Sequence, residues 1–418
     1  MNVQIEPAEM QRLVEALGQH GEQPGGGIIR PVYSPAWKAA QTQLAEWFAQ
    51  AGLQVRQDAV GNLFGRLEGE SARTILTGSH IDTVLLGGRY DGALGVLSAF
   101  AAVRALKQQH GAGGGGGGGG KPRRSLEVVA LCEEEDSRFH ANFWGTRGLL
   151  GLIRPEELDA LVDEDGVTIG QAMREVGLPP EQYHEAVRTD LDAFVELHIE
   201  QGRILYDEQV PLGVVETITG LYRYLTTVEG RTDHAGTTPM DLRRDAVQAA
   251  AHMSVDITRI VEREGRPAVV TTGKWDVQPG AWNIVPGRAS FSVDLRHPDE
   301  ATKQALAARL RDTCDRIAAE RGVSVRYDLA GDVLPMAMHP DIQAVLAAAA
   351  EAHGLTYKRM VSGAGHDSQV MATRLPTGML FVPSVDGRSH SAAEYTTPED
   401  AARGARVLAT ALHRLAYG

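Results

Sequence analysis

Cysteine is nearly absent from this chain, which has only Cys132 and Cys314 among its 418 residues. Two cysteines cannot build a disulfide framework, so the small disulfide-stapled secreted folds are excluded. The N-terminus lacks a basic segment followed by a long apolar core, so we expect no signal peptide. Together these features favour a cytoplasmic protein.

Long apolar runs and an excess of basic residues are also missing. No apolar stretch approaches the roughly 20 residues that span a bilayer, so no membrane partner is expected. The 54 acidic residues outnumber the 41 basic ones and the net charge is −13, which disfavours a nucleic-acid partner. Hydrophobic residues make up 43% of the chain, enough for a large core. A chain of this length predicts two domains.

Residues 113–120 are eight consecutive glycines. No strand leads into the run, and no Lys-Ser/Thr pair follows it at the offset of a phosphate-binding loop. We therefore predict a flexible, solvent-exposed loop with no binding role.

Three predicted strands end in residues that can bind a metal. "TILTGSH" ends at His80, "SLEVVALCEEE" ends at residues 133–135, and "AFVELHIEQG" ends just after His198. Helical patterns separate these strands, which is typical of an α/β fold. In open α/β sheets, sites lie at the carboxyl ends of strands, so we expect these side chains to meet.

The middle of the chain predicts a second, smaller domain with the order β-α-β-β-α-β, which is the ferredoxin-like plan. We place this inserted domain at 215–330, and an α/β catalytic domain at 1–214 plus 331–418. The predicted elements are "YLTTVEG", "RRDAVQAAAHMSVDITRIVERE", "AVVTTGKWDVQ", "ASFSVDLRH", "ATKQALAARLRDTCDRIAAERG" and "VSVRYDL".

Imidazole and carboxylate groups are the ligands that zinc and similar divalent ions take. Two such ions can share a bridging carboxylate. A single histidine at a strand end is more often structural, but a set at successive strand and loop ends favours a two-metal centre. The candidate ligands are His80, Asp91, Glu135, His198 and His390.

Two further acids have roles in this hypothesis. Neighbouring residues on an extended strand face opposite ways, so one acid of the triplet 133–135 can bind metal while its neighbour acts as general base. A solvated acidic turn is the alternative. Asp82, two residues after His80, is predicted to orient that imidazole with its carboxylate.

The joint pattern resembles the metal-dependent amidohydrolases that cleave carbamoyl and ureido groups, within the dinuclear-metal aminoacylase/carboxypeptidase superfamily. These enzymes include allantoate amidohydrolases, N-carbamoyl-L-amino-acid hydrolases and β-ureidopropionases. The segments that carry the resemblance are "GSHIDTV", "GGRYDGALGV", "EEEDSRF", "ELHIEQG", "DHAGTTPM", "NIVPG", "DLRH", "SGAGHDS" and "GRSHSAAEY".

The resemblance implies two divalent ions per subunit, zinc or manganese, with Asp91 as the bridge and Glu134 as the base. Its ligand pairs are His80 with His198, and Glu135 with His390. It also implies that the inserted domain is a lid and dimerisation domain of a homodimer. In such enzymes the oxyanion histidine can come from the partner chain.

Roles in substrate binding follow from the same resemblance. His234 would stabilise the oxyanion, although a turn-capping histidine is the alternative. Asn283 and Arg296 would hold the substrate carboxylate, for which arginine is suited, although a surface salt bridge is the commoner fate of an arginine. The remaining candidate substrate contacts are Gln201, Arg223 and Gly365.

The segments "RPVYSPAW" and "NFWGTRGLLG" resemble allantoate amidohydrolases more than the N-carbamoyl-amino-acid enzymes. Two positions depart from the family: Asp136 stands where glycine is usual, and "LYRY" keeps Arg223 but not the glutamine of the allantoate enzymes. Because of the likeness of those two segments, allantoate hydrolysis is the expected activity. N-carbamoyl-L-amino-acid hydrolase, β-ureidopropionase, dipeptidase or aminoacylase, and a non-enzymatic binding protein with a degenerate site are the alternatives.

Overall fold

A computed structural model describes residues 3–111 and 120–418 of the chain. Most of the glycine run lies outside these ranges, so its flexibility stays a prediction. The strands are β1 (Gln54–Gln57), β2 (Leu63–Leu67), β3 (Ser71–His80), β4 (Arg124–Leu131), β5 (Leu191–Ile199), β6 (Gly213–Ile218), β7 (Gly220–Glu229), β8 (Asp233–His234), β9 (Val269–Thr271), β10 (Trp275–Gln278), β11 (Ile284–Val285), β12 (Arg288–His297), β13 (Ser324–Val333), β14 (Met336–Ala337), β15 (Lys358–Ser362) and β16 (Thr377–Val382).

The helices begin at residues that favour this position. Ser34, Asp245 and Thr397 each precede a helix and accept a hydrogen bond from its first free N–H groups, which is the usual N-cap arrangement. The helices are α1 (Pro7–Gly18), α2 (Pro35–Gln50), α3 (Ala93–Gly111), α4 (Trp144–Leu149), α5 (Glu157–Ala160), α6 (Ile169–Glu175), α7 (Ile204–Glu208), α8 (Ala246–Glu264), α9 (Glu300–Arg321), α10 (Pro340–Ala352), α11 (Asp367–Met371) and α12 (Pro398–Tyr417), with 3-10 turns at Pro180–Ala186, Met240–Leu242 and Val385–Gly387.

The chain divides into two compact units. The first comprises Met1–Glu216 and Ala337–Gly418, and the second comprises Thr217–Met336. The second unit is thus an insertion, for which the sequence analysis places the bounds at 215 and 330.

The first unit is built on a nine-stranded sheet with the order β1-β2-β4-β3-β5-β16-β6-β14, in which β15 also pairs with β6. The four strands β4, β3, β5 and β16 are parallel, with His80 opposite Leu131 and Phe381 opposite His198. Helices α3, α12 and α11 contact this sheet, and its central strands β4, β5 and β16 are buried along almost their whole length. The carboxyl ends of the parallel strands therefore lie at one edge, which is where the predicted ligands follow.

The second unit has an antiparallel sheet with the order β10-β12-β7-β13, and β9 also pairs with β12. Helices α8 and α9 pack on the sheet, where Ile257 of α8 and Leu310 of α9 belong to the same apolar core as Phe291 of β12. The predicted strand "AVVTTGKWDVQ" is in fact two strands, β9 and β10. At the interruption, the N–H of Lys274 donates to the hydroxyl of Ser292 at 2.9 Å, and the N–H of Ser292 donates to the carbonyl of Lys274 at 2.9 Å.

The predicted α/β fold with an inserted ferredoxin-like unit is confirmed. The lid and dimerisation roles of that unit stay predictions. Within residues 3–111 and 120–418, none of the helices combines the length and apolar character that crossing a bilayer requires.

Candidate metal centre and active site

Asp91 presents its two carboxylate oxygens to different histidines. Its Oδ1 lies 3.6 Å from Nε2 of His80 and 3.2 Å from Nε2 of His198. Its Oδ2 lies 3.3 Å from Nε2 of His390, which is 3.5 Å from Oε2 of Glu135. The five predicted ligands therefore form two groups of three donors that share Asp91, and the donors of each group lie within 4.8 Å of one another.

The protonation of two of these histidines follows from their partners. Nδ1 of His80 lies 3.0 Å from the carbonyl of Asp82, and Nδ1 of His198 lies 2.9 Å from the carbonyl of Ile199. A carbonyl only accepts, so both Nδ1 atoms carry a proton, and in the neutral form of each ring the lone pair is on Nε2. The Nε2 of His198 also accepts the N–H of Gly92 at 3.1 Å.

These donors fit a divalent cation. In their neutral forms, His80 and His198 both direct an Nε2 lone pair at Oδ1 of Asp91, an arrangement that is repulsive until a positive charge lies between them. Burial and the charge of Asp91 raise the pKa of the Glu135 carboxyl to about 7, so a cation would favour its ionised form. We conclude that the residues form a candidate divalent-metal centre.

The loop of Asp91 is held against His80 by two features. A Cβ at Gly92, whose φ is +60°, would collide with the His80 ring. The buried Glu394 accepts the N–H of Tyr90 at 2.8 Å and that of Asp91 at 2.9 Å. Sequence reasoning missed the role of Glu394, although it lies in the segment "GRSHSAAEY".

Ser389 links the same parts of the centre. Its hydroxyl lies 2.8 Å from Oδ2 of Asp91 and 2.9 Å from Oε2 of Glu394. One hydroxyl proton serves only one acceptor at a time, so Ser389 donates to either carboxylate. Sequence reasoning also missed this residue, whose signal was its place directly before His390.

The three acids after β4 have different surroundings. Oε2 of Glu134 lies 3.6 Å from Nε2 of His80 and joins a group with Glu135. Burial raises the pKa of Glu134 well above its ordinary value, although the charge of His80 opposes the change. Glu133 instead accepts the N–H of Phe139 at 2.8 Å and that of Arg138 at 3.2 Å. Glu134 is therefore the acid that is free for proton transfer.

Asp82 acts differently from the sequence prediction. Its carboxylate lies 4.0 Å from Nδ1 of His80, whereas its carbonyl lies at 3.0 Å. The carboxylate instead accepts the N–H of Glu135 at 3.1 Å. Asp82 therefore orients His80 through its main chain and steadies Glu135 through its side chain.

Comparison with known proteins identifies the family. Residues 76–414 match the family described as peptidase family M20/M25/M40. The chain belongs to this family. The predicted resemblance and the predicted hydrolase class are confirmed.

Three relatives of this M20/M25/M40 chain cover nearly its whole length. An allantoate amidohydrolase from Escherichia coli is 41% identical over 96% of both chains. An N-carbamoyl-L-amino-acid amidohydrolase from Paenarthrobacter aurescens is 40% identical over 92% of both chains. A crystal structure of an amidase of the hydantoinase/carbamoylase family from Burkholderia multivorans is 34% identical, with a TM-score of 0.91 over 100% of this chain and 99% of that chain.

Two of the predicted substrate contacts lie in the first unit of the chain. The amide Nε2 of Gln201 lies 2.7 Å from Oδ2 of Asp91 and 3.4 Å from Nε2 of His390, so Gln201 belongs to the metal centre itself. Gly365 lies in the turn after β15, where an added Cβ would approach Phe143 to 3.4 Å. Their roles toward substrate stay predictions.

His234 and Asn283 lie together in the second unit, on the ribbon formed by β8 and β11. Ile284 is opposite His234, and the N–H of Ala235 donates to the Asn283 carbonyl at 2.9 Å. Nδ1 of His234 accepts the N–H of Gly236 at 3.0 Å and that of Thr237 at 3.2 Å. The ring proton is therefore on Nε2, which makes the exposed His234 a hydrogen-bond donor.

Arg223 and Arg296 also lie together, because both contact Asp294. Arg296 donates to both Asp294 oxygens, at 2.9 and 3.1 Å, and Arg223 donates to one of them at 2.7 Å. Burial works to raise the pKa of Asp294, but the two guanidinium groups hold it below its ordinary value. Sequence reasoning missed Asp294, which lies on the same strand face as Arg296 in "DLRH".

Proposed function

We propose that this chain is an allantoate amidohydrolase that hydrolyses a ureido C–N bond and releases ammonia and carbon dioxide. The observation that carries the proposal is the sharing of Asp91 between two groups of ligands, beside the free acid Glu134. The choice of substrate is supported by the 41% identity to the E. coli allantoate amidohydrolase. Zinc or manganese, two ions per subunit, is the proposed cofactor.

The ions, when bound, would polarise the ureido carbonyl and acidify the attacking water. Glu134 takes the proton of this water and passes it to the leaving nitrogen, so the acid is regenerated in each cycle. The Nε2–H of His234 donates to the oxyanion. The bond between the carbonyl carbon and the substrate nitrogen breaks, and the carbamate that forms decomposes to ammonia and carbon dioxide.

Substrate binding in this proposal uses the second unit. Arg296 and Asn283 hold the carboxylate of allantoate, and a guanidinium suits this group because it donates two parallel hydrogen bonds. The other proposed contacts are Gln201, Arg223 and the N–H of Gly365. A cytoplasmic homodimer, formed through the second unit as lid and dimerisation domain, completes the proposal.

Hydrolysis of N-carbamoyl-L-amino acids is the second candidate function. It uses the same chemistry on a substrate that has one ureido arm and a carboxylate. The 40% identity to the enzyme from Paenarthrobacter aurescens favours it almost equally.

The deciding experiment measures ammonia release by the protein reloaded with Zn²⁺ or Mn²⁺. Allantoate is compared with a panel of N-carbamoyl-L-amino acids. Turnover of allantoate with much lower turnover of the panel supports the proposal. Turnover of the panel alone replaces the substrate but keeps the chemistry, and no turnover of either overturns both candidates.

A further inference from the structure

Arg30, the first residue of the segment "RPVYSPAW", is a buried arginine that the proposed chemistry does not use. The residue is only 1% exposed. Its guanidinium donates a hydrogen bond from Nε to the carbonyl of Ile81 at 2.7 Å. It also donates from Nη1 to the carbonyls of Leu17 and His20, both at 3.0 Å. All three acceptors are neutral carbonyls, so these hydrogen bonds do not pair the guanidinium with an anion.

Stability of the fold alone is a weak reason for a charge in this position. Burial lowers the pKa of Arg30 to about 10, although the charge of Asp82 opposes the change, so the side chain is a cation at neutral pH. Removing a charge from water is costly, and a well-packed apolar side chain often serves a fold equally well. The C-terminal end of α1 offsets part of the cost, because it is the negative end of the helix dipole and its last turn has no basic residue. The contact at Ile81, on the other side of the guanidinium, is the one that concerns the metal centre.

The segment that Arg30 holds joins the two ligand groups of the metal centre. Ile81 separates the ligand His80 from Asp82 in the sequence. The carbonyl of Asp82 lies 3.0 Å from Nδ1 of His80, and its carboxylate accepts the N–H of the ligand Glu135 at 3.1 Å. His80 belongs to one group that shares Asp91, and Glu135 belongs to the other. A rotation of the chain at Ile81 would therefore move a ligand of each group.

The main chain of Arg30 adds two hydrogen bonds to the same segment. The N–H of Arg30 donates to the hydroxyl of Thr83 at 3.0 Å, and the N–H of Thr83 donates to the carbonyl of Arg30 at 3.3 Å. Strand β3 ends at His80, so the hydrogen bonds of the strand ladder no longer hold residues 81–83. Arg30 holds these residues instead, at Ile81 through its side chain and at Thr83 through its main chain.

We propose that Arg30 is a positioning residue of the metal centre, which fixes residues 81–83 so that Asp82 holds His80 and Glu135 in place. The inference rests on the metal centre of the proposed function but not on its substrate. Groups that orient metal ligands in this way typically contribute tenfold to a hundredfold to metal affinity. Arg30 acts through the main chain of residues 81–83, so it influences metal binding without taking part in the bond that breaks.

The test titrates the metal-free protein with Co²⁺, whose visible absorption gives the Kd and reports the geometry of the bound ion. Arg30→Met removes the guanidinium and keeps an unbranched side chain in its place. We expect the Kd of this variant to rise about tenfold to a hundredfold, with shifted absorption bands. Arg30→Lys keeps the charge but loses the planar fork of donors, so its bands should also shift, and its Kd should rise by a smaller factor.

Arg188→Met is the matched control for damage to the fold. Arg188 lies just before β5, at the other end of the parallel strands, where it pairs with Glu127 and Asp190. This variant should lower Tm and change neither the Kd for Co²⁺ nor the bands.

The outcomes separate a positioning role from a purely structural one. If Arg30→Met has a lower Tm but an unchanged Kd and unchanged bands, Arg30 only caps α1 and the proposal is overturned. If Arg30→Met does not fold, Arg30→Lys decides, and an unchanged Kd with unchanged bands in that variant overturns the proposal. If the unmodified protein binds no Co²⁺, the metal centre fails, and both the proposed function and this inference fail with it.

Discussion

Replacing Glu134 with glutamine tests the assignment of the general base. The amide has the shape of the carboxylate, and Oε2 of Glu134 lies 3.6 Å from Nε2 of His80, too far for a hydrogen bond that the substitution could break. The change therefore removes one proton acceptor and leaves the ligand set intact. We expect the fold and the bound metal to survive.

The expected loss of turnover is large. A positioned general base contributes about 10² to 10⁴ in rate, which corresponds to about 2.7–5.5 kcal/mol of activation free energy. Glu134 is the only acid of the triplet 133–135 that neither accepts main-chain N–H groups from the following turn nor joins the His390 group. Neither neighbour can therefore replace it, and we expect the upper part of this range.

The measurement is kcat for ammonia release, taken together with the metal content of each variant. Glu135→Gln is the matched control, because it changes the adjacent residue in the same way. That control should lose metal from the group that contains His390, while Glu134→Gln should retain all of it. Near-normal turnover of Glu134→Gln at full metal content would refute the assignment.

Three further predictions follow from the structure. Arg296→Ala should raise KM by about tenfold to a hundredfold, because it removes a charge-assisted contact to the substrate carboxylate; Arg326→Ala, whose arginine pairs with Asp328 in the same unit, is the control, and an unchanged KM removes Arg296 from the site. Chelation should lower Tm and Zn²⁺ should restore it, because metal at a hundredfold excess over Kd adds about 2.7 kcal/mol to the free energy of unfolding. A Tm that does not change with metal contradicts the centre. Gly92→Ala should reduce metal content, since its methyl group would overlap the His80 ring; normal metal content contradicts this packing.

The positions of the ligands could be predicted from the sequence because of the parallel sheet. Strands β3, β4 and β5 end at the same edge, and an apolar run that stops at His80 or His198 marks that edge without further information. The supports of the ligands could not be predicted in this way. Glu394 accepts the N–H of Asp91 although the two residues are 303 positions apart in the sequence. A local sequence pattern cannot indicate a contact over such a separation.

The prediction that the Asp82 carboxylate orients His80 was wrong about which Asp82 atom does so, and the reason is local. Residues that are two positions apart on an extended strand share a face, and this rule placed the Asp82 carboxylate beside the imidazole of His80. Strand β3 ends at His80, so the rule no longer applies to the next residues. The chain turns there, and the carbonyl of Asp82 reaches the ring instead.

The acids after β4 show why a strict strand rule also fails at the active site. Alternation would point Glu134 and Glu135 to opposite faces, yet both approach His80, with donor atoms within 4.8 Å of one another. The chain leaves the extended conformation one residue earlier, at Glu133, whose φ is +54°. Its carboxylate accepts the N–H groups of Arg138 and Phe139, and these bonds offset the strain. Because Glu133 absorbs the turn, a ligand and a base can be consecutive residues and still serve one centre.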